Sequence, residues 1–310
     1  MDSEQKLVLT ALFTHDDFVK HEVPLGHPEA GIRIKKVLEH FDEIGLLGEV
    51  SMFSPDLPSD ELILKVHESN YVAALQQLVP EEGLIRLDAD TGMGPTTLQA
   101  AMRASGAVVS AVKESLTGSH KRGFCLVRPP GHHAERAQLM GFCFFNSIAI
   151  AAEYALKFVD RVAILDFDAH HCNGTVEIFA GRPEILVCSS YEYPFYPYRH
   201  LDLEDVNLIN TRLEAGTSSL KFRNAIEETW LRPIEEHKPQ LFLVSAGFDG
   251  HREDPLANLN LADEDFQWIT KLIVDLSHQF AEGRVVSTLE GGYALDALAR
   301  STALHLGHML

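Results

Sequence analysis

The chain has 310 residues, 45% hydrophobic and 23% charged, which is enough apolar material for a sizeable buried core. Its formal net charge of −19 disfavours direct nucleic-acid binding, which needs a basic footprint, and would attract cationic partners such as Lys-rich peptides or polyamines. No stretch is long and apolar enough to span a membrane, the start "MDSEQKLVLTALFTHDDF" lacks a basic region and cleavage site, and Cys125, Cys143, Cys172 and Cys188 are dispersed with no CxxC pair, so a reduced, cytoplasmic protein is expected.

In chain order, an apolar run predicts a strand over 7–13. Helical spacing predicts a helix over 95–116, with Pro95 suited to its first turn. A strand over 123–127, a helix over 145–158 and strands over 162–167 and 185–189 come next. The remainder reads as a helix over 219–237, a strand over 241–246, a helix over 263–281 with Asp263 as its candidate cap, and a strand over 285–289. Alternating strands and helices imply an α/β fold whose mostly parallel sheet carries helices on both faces. Residues 1–310 contain no linker, repeat or low-complexity tract, so one domain is expected.

Ligands gather at the carboxyl ends of strands in such sheets, and the polar clusters of this chain follow predicted strands. They are "RPPGHHAE" after 123–127, "DAHHCNGT" after 162–167, "GFDGHREDP" after 241–246 and "EGGY" after 285–289. If the chain stays extended through His170, then Asp166, Asp168 and His170 share one side. Asp168 and His170 could then grip one metal with Asp249 as third ligand, an O/N/O set with open positions suited to a catalytic ion. An isolated Asp-x-His is more simply a loop cap, but four chemically loaded loops on one edge favour a site. His132 and His133, after a rigid Pro-Pro-Gly turn, are candidates for general base and acid, with Asp166 available to orient one of them. Tyr293, after Gly291 and Gly292, could donate to a developing oxyanion.

In this order and at these separations, "RPPGHHA", "GFCFFN", "DFDAHHCNGT", "SAGFDGHREDP" and "LEGGY" resemble the zinc-dependent histone deacetylase family. The likeness is strongest to its class II-like branch, which includes bacterial and archaeal amidohydrolases, and "GHPEAGIR" (26–33) is similar to the family's N-terminal element. The resemblance runs from about His15 to Tyr293 and implies the arginase/deacetylase fold. It implies one Zn²⁺ on Asp168, His170 and Asp249, with His133 as the main general base and acid and His132 as its partner. Asp166 would stand behind His132, Asn173 would stand behind His133 as in class II, and Tyr293 would be the oxyanion donor. A structural K⁺ is implied near Asp166 and Ser189, and a substrate tunnel lined by Gly141, Phe142, Tyr196 and Leu256.

The implied reaction removes acetyl groups from the ε-amine of lysine in proteins or peptides, with longer acyl groups left open. One alternative is an acetylpolyamine or other small N-acetyl amine as substrate; another is an acyl-lysine binder with weakened catalysis, which an intact Tyr293 argues against. Arginases share the fold and the Asp-Ala-His tripeptide, but Cys172 and Gly247 stand where a two-manganese site needs carboxylates. Leu256 stands where one polyamine-preferring branch carries Glu, which favours acyl-lysine. The segment Tyr198-Arg199-His200 departs from the Gly-containing turn usual at the tunnel rim.

Overall fold

Runs such as Val162-Ala163-Ile164-Leu165, apolar at every position, suit a sheet covered on both faces. The computed structural model describes residues 10–310 and contains such a sheet. Its early strands are β1 (Thr10–Phe13), β2 (Ser51–Phe53), β3 (Ile85–Arg86), β4 (Gly92–Met93) and β5 (Arg122–Cys125). The later ones are β6 (Val162–Asp166), β7 (Ile185–Glu192), β8 (Leu208–Leu213), β9 (Leu241–Ala246) and β10 (Val285–Leu289). Eight form one parallel sheet in the order β2-β1-β5-β10-β9-β6-β7-β8, and β3 and β4 make a separate small antiparallel pair.

The helices are α1 (Asp17–Lys20), α2 (Ile32–Glu43), α3 (Asp60–Val66), α4 (Ser69–Leu78) and α5 (Thr97–Thr117). They continue with α6 (Ser147–Ala155), α7 (Asn173–Phe179), α8 (Ser219–His237), α9 (Asp263–Phe280) and α10 (Leu295–His308). Successive residues of β5 show the two covered faces. A Cβ on Gly123 would meet Ala111 of α5, whereas the Phe124 ring packs on His305 of α10. The core between these layers is almost entirely aliphatic and phenylalanine, with β6, β9 and β10 buried at every position.

Several element boundaries differ from the sequence expectation. Residues 7–9 of the first expected strand lie outside the described residues, and β1 is the rest of it. Pro95 lies just before the α5 cap Thr96 instead of inside the first turn. Asp263 is the first residue of α9, where its carboxylate binds Arg300 and Ser301; Asp265 is the residue that accepts the Ala262 backbone N–H, at 2.9 Å. No helix among the described residues is long and apolar enough to cross a membrane.

Candidate active site

The four polar loops leave β5, β10, β9 and β6, and these are four consecutive neighbours at the centre of the sheet. The chain passes from β5 to β6 over a gap of two strands, which β9 and β10 later fill. Residues from four distant stretches thereby meet at one carboxyl edge.

Strand β6 ends at Asp166, so the chain is not extended through His170 as the sequence reading supposed. Asp166 Oδ1 instead accepts the backbone N–H of Asp168 (3.0 Å), and Asp168 Oδ1 accepts that of His170 (2.9 Å). These two local bonds turn the loop so that Asp168 and His170 face Asp249, while the other Asp166 oxygen points to His132. His170 Nδ1 lies 2.9 Å from Asp249 Oδ2 and 3.1 Å from Asp168 Oδ1, and all three residues are buried. Burial, and then the charge of Asp168, pushes Asp249 up to about 7. Burial disfavours a charged His170, but Asp249 and Asp168 outweigh it and hold the imidazole well above its ordinary value. Two buried carboxylates converging on one imidazole nitrogen are mutually repulsive, and a divalent cation among them removes that conflict.

Two glycines leave room for this cluster. A Cβ at Gly247 would lie 2.0 Å from Asp168 Oδ2, and one at Gly291 would lie 2.1 Å from Asp249 Oδ2. The backbone N–H of Gly291 also donates to Asp168 Oδ2 at 2.8 Å. The donor set therefore fits one small divalent ion, and no carboxylate can stand at 247 for a second.

His132 and His133 lie beside this cluster with ring centroids 4.0 Å apart, but in different surroundings. His132 Nδ1 donates to Asp166 Oδ2 at 3.0 Å. Burial alone would keep it neutral; Asp166, with Asp168 and Glu290, raises it to about 10. His133 Nδ1 donates to the neutral Asn173 Oδ1 at 2.7 Å, and burial, then His132 and His170, drives it well below the ordinary value. Adjacent imidazoles are thus separated electrostatically by what stands behind each. Asp166 also faces Ser189 across the β6–β7 ladder, where the buried Ser189 hydroxyl has no nitrogen or oxygen partner among the described residues.

Above the cluster lies a cavity of about 190 Å³. Gly141, Phe142, Tyr196 and Leu256 line it together with His133, His170 and Tyr293. Gly141 has a left-handed φ of 54°, and a Cβ there would strike the His133 ring at 2.4 Å. Asp90 and Phe195 also line the cavity; Phe195 directly precedes the expected Tyr196 in the rim loop, whereas Asp90 belongs to no motif or periodic element.

Two further residues escaped the sequence reading. Buried Glu290 accepts the backbone N–H groups of Gly131 (2.7 Å) and His132 (3.1 Å) and the Ser245 hydroxyl (3.1 Å), tying three strand ends together. Arg33 reaches from α2 to the Gly292 (2.7 Å) and Glu290 (2.6 Å) carbonyls and stacks its guanidinium 4.9 Å from the Tyr293 ring centroid. The Glu of "LEGGY" was in plain view, but nothing local marks it as a backbone acceptor.

Residues 27–309 match the Histone deacetylase domain. The chain is 34% identical to the histone deacetylase-like amidohydrolase of Pseudomonas aeruginosa, over 89% of this chain and 75% of that one. It is 33% identical to mouse polyamine deacetylase HDAC10 over 97% of its length, although it spans only 48% of that longer protein. The crystal structure of the HDA15 HD domain superposes with a TM-score of 0.89 at 28% identity, covering 96% of this chain and 90% of the other. With its eight-stranded parallel sheet and the motifs at its carboxyl edge, this chain belongs to the histone deacetylase family.

Proposed function

We propose that the chain is a zinc-dependent amidohydrolase that removes acetyl groups from the ε-amine of lysine in proteins or peptides. The observation that carries this reading is the buried Asp168-His170-Asp249 cluster, whose His170 lines the cavity beside His133 and Tyr293. Zinc bound there would supply Lewis acidity for the amide carbonyl and the attacking water. Asp168, His170 and Asp249 would hold it, and Asp166 with the Ser189 hydroxyl would contribute to a structural K⁺ site.

The chain's own groups then divide the work. His133 donates its Nδ1 proton to Asn173, which leaves the Nε2 lone pair free to take a proton from the attacking water. Paired with Asp166, His132 supplies positive charge next to the reacting centre and assists return of a proton to the leaving amine. Tyr293 donates its phenolic proton toward the developing oxyanion. Phe142, Phe195 and Tyr196 enclose the aliphatic stem of the acyl-amine, and Leu256 adds an apolar side chain, so that Asp90 is the one carboxylate among the described residues lining the cavity. Residues 1–310 act as one catalytic domain in a reducing cytoplasm, where the four buried thiols stay free.

The test is hydrolysis by the zinc-loaded protein of acetyl-lysine peptides and N-acetylated polyamines at matched concentrations, with longer-acyl peptides alongside. Faster peptide cleavage is expected. Faster polyamine cleavage would make this a small-molecule amidohydrolase and would overturn the role given to Leu256.

A further inference from the structure

Behind Asn173 lies a second layer of polar contacts that reaches the tunnel rim. The Asn173 amide nitrogen donates to Glu135 Oε1 at 2.8 Å and to the His133 carbonyl at 3.1 Å. Glu135, nearly buried at 5% exposure, is gripped by Arg199 through two bonds, Nε to Oε1 at 2.8 Å and Nη2 to Oε2 at 2.6 Å. His200 Nε2 lies 3.1 Å from the same Oε1.

Arg199 belongs to the segment that also supplies Tyr196, whose ring stands edge-on to His133 with centroids 5.5 Å apart. Tyr198 and His200, on either side of Arg199, take left-handed φ values of 57° and 53°. Such values cost a non-glycine residue on the order of 1 kcal/mol, so this loop conformation needs contacts to hold it. The two-pronged Arg199–Glu135 pair is the strongest of them.

A side-chain amide can turn over, exchanging its oxygen and nitrogen at little cost in shape. An ionised carboxylate accepts and never donates. Glu135, as the shorter of two acceptor-only contacts beside the His133 carbonyl, therefore holds Asn173 with its nitrogen outward and its oxygen to His133. That oxygen in turn obliges His133 to carry its proton on Nδ1. We infer that Glu135, clamped by Arg199, is a positioning residue for the reaction proposed above: it sets the orientation of Asn173 and thereby the tautomer of His133, and the same clamp docks the rim loop bearing Tyr196. The inference rests on that reading of His133 as the base.

Two readouts test it on the intact, zinc-loaded chain. The first is the ¹⁵N imidazole spectrum of His133, which reports the tautomer whether or not a substrate has been found. Wild type should show an Nδ1-protonated ring, and Glu135→Gln, which offers one acceptor where three donors compete, should show a mixed or reversed tautomer. The second is turnover of an acetyl-lysine peptide. Glu135→Gln should lower kcat on the order of 10- to 100-fold with KM changed by less than about threefold. Arg199→Ala should lose kcat in the same direction, Arg199→Lys should recover part of it, and the Glu135→Gln/Arg199→Ala double variant should be no worse than Glu135→Gln within about a factor of two. An unchanged tautomer in a folded Glu135→Gln protein, or additive losses in the double variant, would overturn the proposal. Should Glu135→Gln fail to fold, Arg199→Ala carries the decision, because its partly exposed side chain can be truncated without leaving a buried hole. An Nδ1-protonated His133 that becomes mixed in the variants, in a wild type that hydrolyses no acyl-amine, would support the positioning and sink only the assigned reaction.

Discussion

Asp254 accepts the backbone N–H of Tyr293 at 2.6 Å, and the same Oδ2 takes that of Ala294 at 3.0 Å. Its other oxygen accepts the backbone N–H of Leu256 at 3.0 Å. One carboxylate thus joins the tunnel wall to the loop that carries the tyrosine, although the two lie on different strand ends. Asp254→Asn leaves a single oxygen for these three donors. We expect a loss of about 1–3 kcal/mol of stability and a fall in kcat of roughly tenfold, as Tyr293 drifts. Urea unfolding together with steady-state kinetics checks this; wild-type kcat in the folded variant would show that the loop holds its place without Asp254.

Tyr293 lines the cavity beside His170 and His133, and burial pushes its phenol well above the ordinary value. It therefore stays protonated and able to donate at any working pH. Tyr293→Phe keeps the ring and its stacking with Arg33 but removes that donor. A kcat loss on the order of 10²- to 10³-fold with little change in KM is expected. Near-normal turnover would remove the oxyanion role.

Gly291 owes its place to the closeness of Asp249 Oδ2, 2.1 Å from where a Cβ would stand. Gly291→Ala should push Asp249 out of the cluster and weaken metal binding on the order of 10- to 100-fold. Elemental analysis of the purified variant gives the metal content directly. Zinc should also stabilise the native state, by about 2.7 kcal/mol at a hundredfold excess over Kd, so chelation should lower the melting temperature of wild type and much less that of the variant. A full zinc complement in Gly291→Ala would contradict the assignment of Asp249 as a ligand.

Two histidines far from the cluster bear on pH and stability. His67 accepts the Asn146 backbone N–H on Nε2 (2.9 Å) and donates from Nδ1 to the Glu135 carbonyl (3.0 Å). His305 bonds Thr270 (2.6 Å) and Ser287 (2.8 Å) through its two nitrogens. Burial lowers His67 to about 4 and His305 to about 3, so both are neutral when folded. In the unfolded chain they take up protons as pH falls below about 6.5, where the native state cannot, so these two rings lower stability as pH falls through that range, against the opposite pull of Asp249 and Glu290, which burial raises to about 7. Each contributes up to about 1.4 kcal/mol per pH unit between pH 6.5 and 5. Urea midpoints of wild type and of a His305→Gln variant, measured at steps across that window, should differ in slope, with less loss at low pH in the variant; parallel profiles would mean that the His305 ring is protonated in the native state.

The chemistry-bearing loops and the strands that precede them are legible in the amino-acid sequence. Fully apolar runs such as those of β6, β9 and β10 can be recognised without any partner, because a strand buried on both faces needs no alternation. Short or polar strands escaped for the complementary reason: β2 has three residues, and β8, "LINTRL", mixes polar residues along a sheet edge. Only the tertiary structure shows that β5, β10, β9 and β6 are neighbours, since pairing between strands far apart in the chain, such as Arg122 with Val285 and Val162 with Leu241, leaves no local trace. It also decided that the chain turns after Asp166, so that Asp166 serves His132 while Asp168 and His170 meet Asp249. Glu290 beneath His132, Arg33 behind Tyr293 and the Glu135–Arg199 clamp are contacts between side chains and distant backbone or charge. A one-dimensional pattern records which groups are present, whereas hydrogen bonds act over about 3 Å, a distance that only the folded chain defines.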